Sequence, residues 1–121
     1  VKILADTSVW IEHFRHGNEN LAKTIFQNRV FIHPFVLGEL ACGFLKNRTE
    51  TLLLLKNLPV PIQPTHEEVF EFIEKEKLYD KGVGLADIHI LMSAILTGCA
   101  LWTFDKKLVL VQKKLKIQSL E

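Results

Sequence analysis

Three short, apolar, β-prone segments, Val1–Ala5, Val30–Ile32 and Ala100–Trp102, each run within a few residues into a helix start. After the first come Asp6, Thr7 and Ser8, side chains that can cap a helix through Val9–Phe14. After the second, Pro34 stands where a helix begins. That helix runs to about Leu45, with Val36, Leu37, Leu40, Ala41 and Phe44 as its apolar stripe. After the third, Thr103-Phe104-Asp105 reads as a turn and Lys106–Gln112 as a short helix, with Lys116–Gln118 as a candidate final strand. Short apolar strands alternating with helices pair in parallel and need crossover helices as cover. The predicted fold class is α/β: one domain over residues 1–121, with a central, mostly parallel, twisted sheet of about four to five short strands flanked by helices on both faces.

The remaining segments fit this frame. Helices are predicted over Leu21–Gln27 and Glu50–Leu58, and the prolines make Pro59–Ile62 extended. Thr65-x-x-Glu68 is a capping box that launches an amphipathic helix to about Tyr79. Asp80–Gly84 is a glycine-bearing loop, and Leu85–Thr97 is a helix apolar on nearly every side, stopped by Gly98 and so expected to be buried. Trp10, Trp102 and the eight phenylalanines fall mostly on apolar stripes and are expected to pack in the core. Cys42 and Cys99 lack CxxC spacing and have apolar neighbours, which predicts two buried, reduced thiols. That expectation, with no signal-peptide pattern and no apolar run of membrane length, points to the cytoplasm. A net charge of +1 leaves any affinity for nucleic acid to local arrangement.

The fourteen acidic residues carry the functional signal. Glu67, Glu68, Glu71, Glu74, Glu76 and Asp80 crowd the amphipathic helix and its exit, and read as a solvated face opposite Val69, Phe70, Phe72 and Ile73. Four others stand without acidic company. Asp6 ends the first strand, Glu39 lies inside the third helix, Asp87 is in the first turn of the apolar helix, and Asp105 follows the Ala100–Trp102 strand. Helix capping and the helix dipole account for each aspartate singly. Glu39, flanked by Leu37, Gly38, Leu40 and Ala41, is expected to be buried and so to need a basic partner or a metal.

In an open parallel sheet, ligands bind beyond the carboxyl ends of the strands, where Asp6, Asp87 and Asp105 fall. Four carboxylates gathered there would repel by roughly 4 kcal/mol per pair at 4 Å unless they bound cations or protons. An all-oxygen set selects a hard divalent ion, Mg²⁺ or Mn²⁺, as metal-assisted phosphodiester hydrolysis requires.

These residues also resemble the motifs of the PIN-domain ribonucleases. Asp6-Thr7-Ser8 is similar to the family's opening strand-end motif, and Glu39-Leu40-x-x-Gly43 to its helical glutamate segment. Asp87 through Thr103-Phe104-Asp105 resembles its most distinctive stretch, and the four parts occur in order over essentially the whole chain. The resemblance implies Asp6, Glu39, Asp87 and Asp105 as the metal-binding acids, with Thr7, Ser8 and Thr103 as hydroxyl helpers. The short chain looks like the VapC-like toxins of toxin–antitoxin pairs. The family then implies a Mg²⁺-dependent endoribonuclease (Mn²⁺ as substitute), typically a homodimer, with a cognate antitoxin and structured RNA, often transfer or ribosomal RNA, as partners.

Some members carry further acids after the fourth aspartate, where this chain has Lys106 and Lys107; with Lys46 and Arg48 these are either phosphate contacts or solvated cations. His89, two residues past Asp87, points elsewhere on a helix and reads as a packed histidine. A receiver domain would need adjacent acids after the first strand and an aspartate after a middle strand. A haloacid-dehalogenase-like phosphatase would need Asp-x-Asp where Ser8 stands. The remaining alternative is a catalytically inactive PIN-fold scaffold that binds RNA or protein.

Overall fold

A computed structural model describes residues 1–116 and the backbone of 119–120. The chain runs β1 (Ile3–Ala5), α1 (Thr7–His16), α2 (Glu19–Phe26), β2 (Val30–Phe31), α3 (Pro34–Cys42), α4 (Arg48–Lys56), α5 (His66–Glu76), α6 (Leu85–Thr97), β3 (Ala100–Trp102), α7 (Lys106–Leu115) and β4 (Ser119–Leu120). The four strands form one parallel sheet in the order β2-β1-β3-β4. Connections leave β1 and β2 in opposite directions along the sheet, and right-handed crossovers then place helices on both faces. The strands are short, but Ile3, Leu4, Ala5 and Leu101 are all at most 1% exposed. Burying such a side chain stabilises the fold by roughly 1.5–3 kcal/mol.

Local chemistry starts and stops the helices where expected. Asn18 caps α2, His33 caps α3 with Pro34 at its first position, and the Thr65–Glu68 capping box is complete. Gly98, in the left-handed region at φ 74°, ends α6. The third helix stops at Cys42 rather than near Leu45, because Gly43 is extended. The guanidinium of Arg48 closes that end by donating to the carbonyls of Ala41 (2.6 Å) and Gly43 (3.2 Å). Arg48 is thus a helix-end clamp. Lys116 caps α7 at φ 57°, so the last strand begins later than expected, and Ile117 and Gln118 lie outside the described residues.

Burial departs from the sequence expectation in four places. Trp10 and Trp102 are buried, but no phenylalanine is: six are exposed, Phe44 and Phe26 most of all, while Phe31 and Phe72 are part-buried against the core. Phe70 faces solvent although it shares α5 with buried Val69. Cys42 is exposed; it and buried Cys99 are both free thiols. Helix α6 buries Ile88 through Leu91, Ser93 and Ala94, yet Leu85, Ile95 and Leu96 are exposed at its two ends. A stripe pattern gives the direction a side chain takes, and the depth of the cover above it is a separate matter. Among the described residues no helix is long and apolar enough to cross a membrane.

Candidate active site

The strand order reverses at β1, so a crevice opens beyond the carboxyl ends of β1 and β3. The register pairs Ala5 with Trp102, which sets Asp6 beside Thr103 at that edge. The Asp6 amide donates to the Trp102 carbonyl at 3.0 Å, continuing the ladder by one residue. The Asp6 carboxylate is buried, and both its oxygens are engaged. Oδ1 accepts from the Ser8 amide (3.0 Å), the Ser8 hydroxyl (2.5 Å) and the Val9 amide (3.4 Å), capping α1. Oδ2 accepts from the Thr103 hydroxyl.

The same two hydroxyls also accept. Ser8 Oγ takes the Phe104 amide at 3.0 Å, and Thr103 Oγ1 takes the Asp105 amide at 3.0 Å. Asp6, Ser8 and Thr103 therefore form one closed knot that ties α1 to the β3–α7 turn. Burial pushes the Asp6 carboxyl above its ordinary range, against the hydrogen bonds of Ser8, Thr103 and the Val9 amide, which pull it down. No cation is among the groups that tune it. A buried carboxylate so placed takes up a proton or a cation.

The other three acids are arranged differently. Glu39 is exposed, which corrects the expectation of a buried, unpaired carboxylate, and its Oε1 accepts from the Thr7 hydroxyl at 3.3 Å. Gly38 before it and the α3 surface around it leave it open to solvent. Asp105 is also exposed; its Oδ1 caps α7 through the amides of Lys107 (2.9 Å) and Leu108 (3.1 Å). Asp87 is half-buried, and its Oδ2 accepts the Gly84 amide at 3.2 Å in the first turn of α6. Thus the capping roles are real for all three aspartates. Yet Glu39, Asp87 and Asp105 each commit only one carboxylate oxygen among the described residues, and the other stays available.

Hydrogen bonds join Asp6, Ser8, Thr103 and Asp105 directly, and Thr7 joins Glu39 to the first turn of α1. Asp87 makes no hydrogen bond to this network. No three acidic, histidine or cysteine side chains among the described residues stand close enough to enclose an ion as they lie. The donor set nonetheless fits a hard divalent cation: it is all oxygen, it holds a carboxylate whose pKa burial raises, and its other members are exposed or half-buried. No histidine side chain among the described residues hydrogen-bonds these acids. His89 Nε2 meets His66 Nδ1 at 3.3 Å and packs on the edge of Phe35, as a packed histidine should.

Two features escaped the sequence reading. Lys107 lies across Gly82: a Cβ at that glycine would stand 2.6 Å from Lys107 Cδ. The glycine pair Gly82-x-Gly84 before Asp87 is the only sequence sign of such a close approach. A cavity of about 370 Å³ also opens beside Glu39, between α1, α3 and the start of α4, with Ile11, Phe14, Leu40 and Phe44 in its wall. Phe14 and Phe44 are exposed there, which only the fold could reveal.

Comparison with known proteins agrees with this architecture. The PIN domain family matches residues 3–114. Ribonuclease VapC32 of Mycobacterium tuberculosis is 42% identical over 107 residues, covering 88% of this chain and 86% of that protein. In structure, the chain is similar to VapBC-1 from nontypeable Haemophilus influenzae, with a TM-score of 0.73 at 16% identity, over 100% of this chain and 98% of the other. It is likewise similar to FitAcB from Neisseria gonorrhoeae, with a TM-score of 0.66 at 19% identity, over 98% and 96%. The family match over residues 3–114 and the 42% identity to a VapC ribonuclease over 88% of the chain make this chain a member of the PIN-domain family, of the VapC-like ribonuclease type.

Proposed function

We propose that this chain is a Mg²⁺-dependent endoribonuclease, the toxin of a toxin–antitoxin pair, and that Asp6, Glu39, Asp87 and Asp105 hold its metal. The observation that carries the assignment is the division of labour around the crevice. Asp6 is buried and locked, while Glu39, Asp87 and Asp105 each keep an oxygen free. A divalent cation bound there supplies Lewis acidity, lowering the pKa of an attacking water and offsetting charge on the phosphate.

The protein's own residues do the positioning. Ser8 and Thr103 hold Asp6 in one orientation, and their hydroxyls have no freedom to rotate away while they also accept the Phe104 and Asp105 amides. Thr7 steadies Glu39 through Oε1 and leaves Oε2 to the ligand. Asp105 and Asp87 are each tied by backbone amides at the starts of α7 and α6, and each keeps its second oxygen for the ion. Mn²⁺ has the same ligand preference and is the expected substitute. Hydrolysis by water leaves 5′-phosphate and 3′-hydroxyl ends.

The partners follow from the family and from the surface. A cognate antitoxin fits the apolar cavity beside Glu39, where its binding would cover the site. Transfer or ribosomal RNA is the proposed substrate, the cytoplasm the proposed compartment, and the homodimer the proposed state. The test is cleavage of total cellular RNA with Mg²⁺ or Mn²⁺, with EDTA and Asp87→Asn as controls. Cutting that both controls abolish supports the reading. If no RNA is cut under either metal, the non-catalytic PIN-fold scaffold becomes the better account.

A further inference from the structure

The first turn of α6 and the N-cap of α7 carry two of the four acids, and one side chain reaches from α7 to the loop that precedes α6. Lys107 is the second residue of α7, and its amide caps onto Asp105 Oδ1 at 2.9 Å. Its side chain then crosses to Gly82, where an added Cβ would meet Cδ at 2.6 Å, Nζ at 3.0 Å and Cε at 3.1 Å. Gly82 lies two residues before Gly84, whose amide holds Asp87; two trans peptide steps span at most about 7.6 Å between α-carbons. The ammonium of Lys107 therefore rests at the rim of the crevice, between the elements that present Asp105 and Asp87. Among the described residues its Nζ donates to no oxygen, so all three of its N–H groups remain for a ligand.

A lysine normally pays up to about 2 kcal/mol of side-chain entropy to hold one conformation. Here the stem lies against Gly82, whose missing Cβ at φ 77° lets it approach, and the side chain stays exposed to solvent. The charge balance gives this cation a purpose. Four carboxylates outweigh a single divalent ion, so a phosphodiester approaching the crevice meets net repulsion, and one positive charge at its rim lowers that barrier.

We propose that Lys107 is a substrate-binding residue that takes an RNA phosphate at the edge of the acidic crevice. This rests on the ribonuclease reading above. Lys107 acts on the substrate's charge and carries no sequence preference, because a phosphate contact positions the strand without reading its bases.

The experiment measures binding of a fluorescein-labelled single-stranded oligoribonucleotide to the Asp87→Asn protein, which leaves the strand uncut, across a series of salt concentrations. Lys107→Met in that background is expected to weaken binding about fivefold at 0.1 M salt and to reduce the slope of log K against log salt by about 0.7, the signature of one lost phosphate contact on a single strand. Lys107→Arg should keep most of the affinity, and Lys23→Met, which removes the same charge from the end of α2 that leads into the amino end of β2, should keep the parent slope. Affinity and slope unchanged in Lys107→Met would overturn the proposal. So would a loss of thermal stability in Lys107→Met with the parent slope retained, which marks a strap between loop and helix only. A parent that binds but never cleaves RNA refutes the ribonuclease reading and leaves this phosphate contact measurable.

Discussion

The Asp6 corner and the three separate acids Glu39, Asp87 and Asp105 are built on opposite plans. Asp6 is buried, uses both oxygens, and is held by two hydroxyls that are themselves held by backbone amides. The other three are exposed or half-buried, use one oxygen each, and owe their position to a helix start or to one hydroxyl. The first plan fixes a point in space at the cost of burying a charge, which the raised Asp6 carboxyl reports. The second leaves side chains able to close on a cation. A site of this kind has one rigid anchor and several adjustable arms.

Substitutions that remove a carboxylate should have the largest effect on that contrast. Asp6→Asn and Asp87→Asn are each expected to lower RNA cleavage by roughly a thousandfold or more, a loss of about 4 kcal/mol of transition-state stabilisation. Far-ultraviolet circular dichroism should show both folded, since an Asn side chain keeps an acceptor for the capping amides. Residual activity within tenfold of the parent in Asp87→Asn would mean that this arm plays no part.

Loosening the anchor while sparing every acid should come next. Ser8→Ala and Thr103→Ala each remove a hydroxyl that both donates to Asp6 and accepts an amide of the β3–α7 turn. Each should cost about 1–3 kcal/mol by denaturant unfolding, and cut cleavage by roughly ten- to a hundredfold. Thr7→Ala touches only an arm, and its effect on stability should stay under about 0.5 kcal/mol.

The buried charge gives the comparison a pH signature. Because the folded state raises the Asp6 carboxyl, the folded protein binds that proton more tightly than the unfolded chain does. The group's stabilisation is then fully present at acid pH and is lost as pH rises through its folded value. In EDTA, Asp6→Asn should therefore melt above the parent at neutral pH, with the gap shrinking toward pH 4. His33 runs the other way. Buried and lowered from 6.5 to about 4, it stabilises the neutral form, and that contribution fades as pH falls below about 6.5 toward 4. A melting-temperature gap between Asp6→Asn and the parent that stays flat from pH 4 to 7 would show that Asp6 carries no burial penalty.

The last expected effect is on stability alone, in Gly82→Ala, at the loop before α6. A left-handed φ of 77° and the Lys107 stem both oppose a Cβ there, and the cost should be about 1–2 kcal/mol in thermal unfolding. A neutral result would mean that the loop yields freely.

Much of the Asp6 corner was legible in the sequence, because short continuous apolar runs end abruptly at Asp6 and Thr103 and parallel pairing brings strand ends to one edge. Glu39 was singled out for a reason that fails: its apolar neighbours suggested burial, but it is exposed on α3. The phenylalanines failed for a related reason. Pattern marks Phe14, Phe44 and Phe70 as apolar-face residues, while the number of layers above each face depends on topology, and there were too few to cover them. The Lys107–Gly82 contact joins residues twenty-five apart through the flexible end of a lysine, and no local spacing encodes it.

The most direct test of an anchored acidic metal site is the binding of Mn²⁺ itself, followed by electron paramagnetic resonance in the absence of RNA. The account predicts that the parent takes up Mn²⁺, that Mg²⁺ competes for it, and that Asp6→Asn and Asp87→Asn each weaken uptake by tenfold or more. Uptake by both variants as tight as the parent's would contradict it, because the ion would then be held by something other than the carboxylates at the ends of β1 and α6.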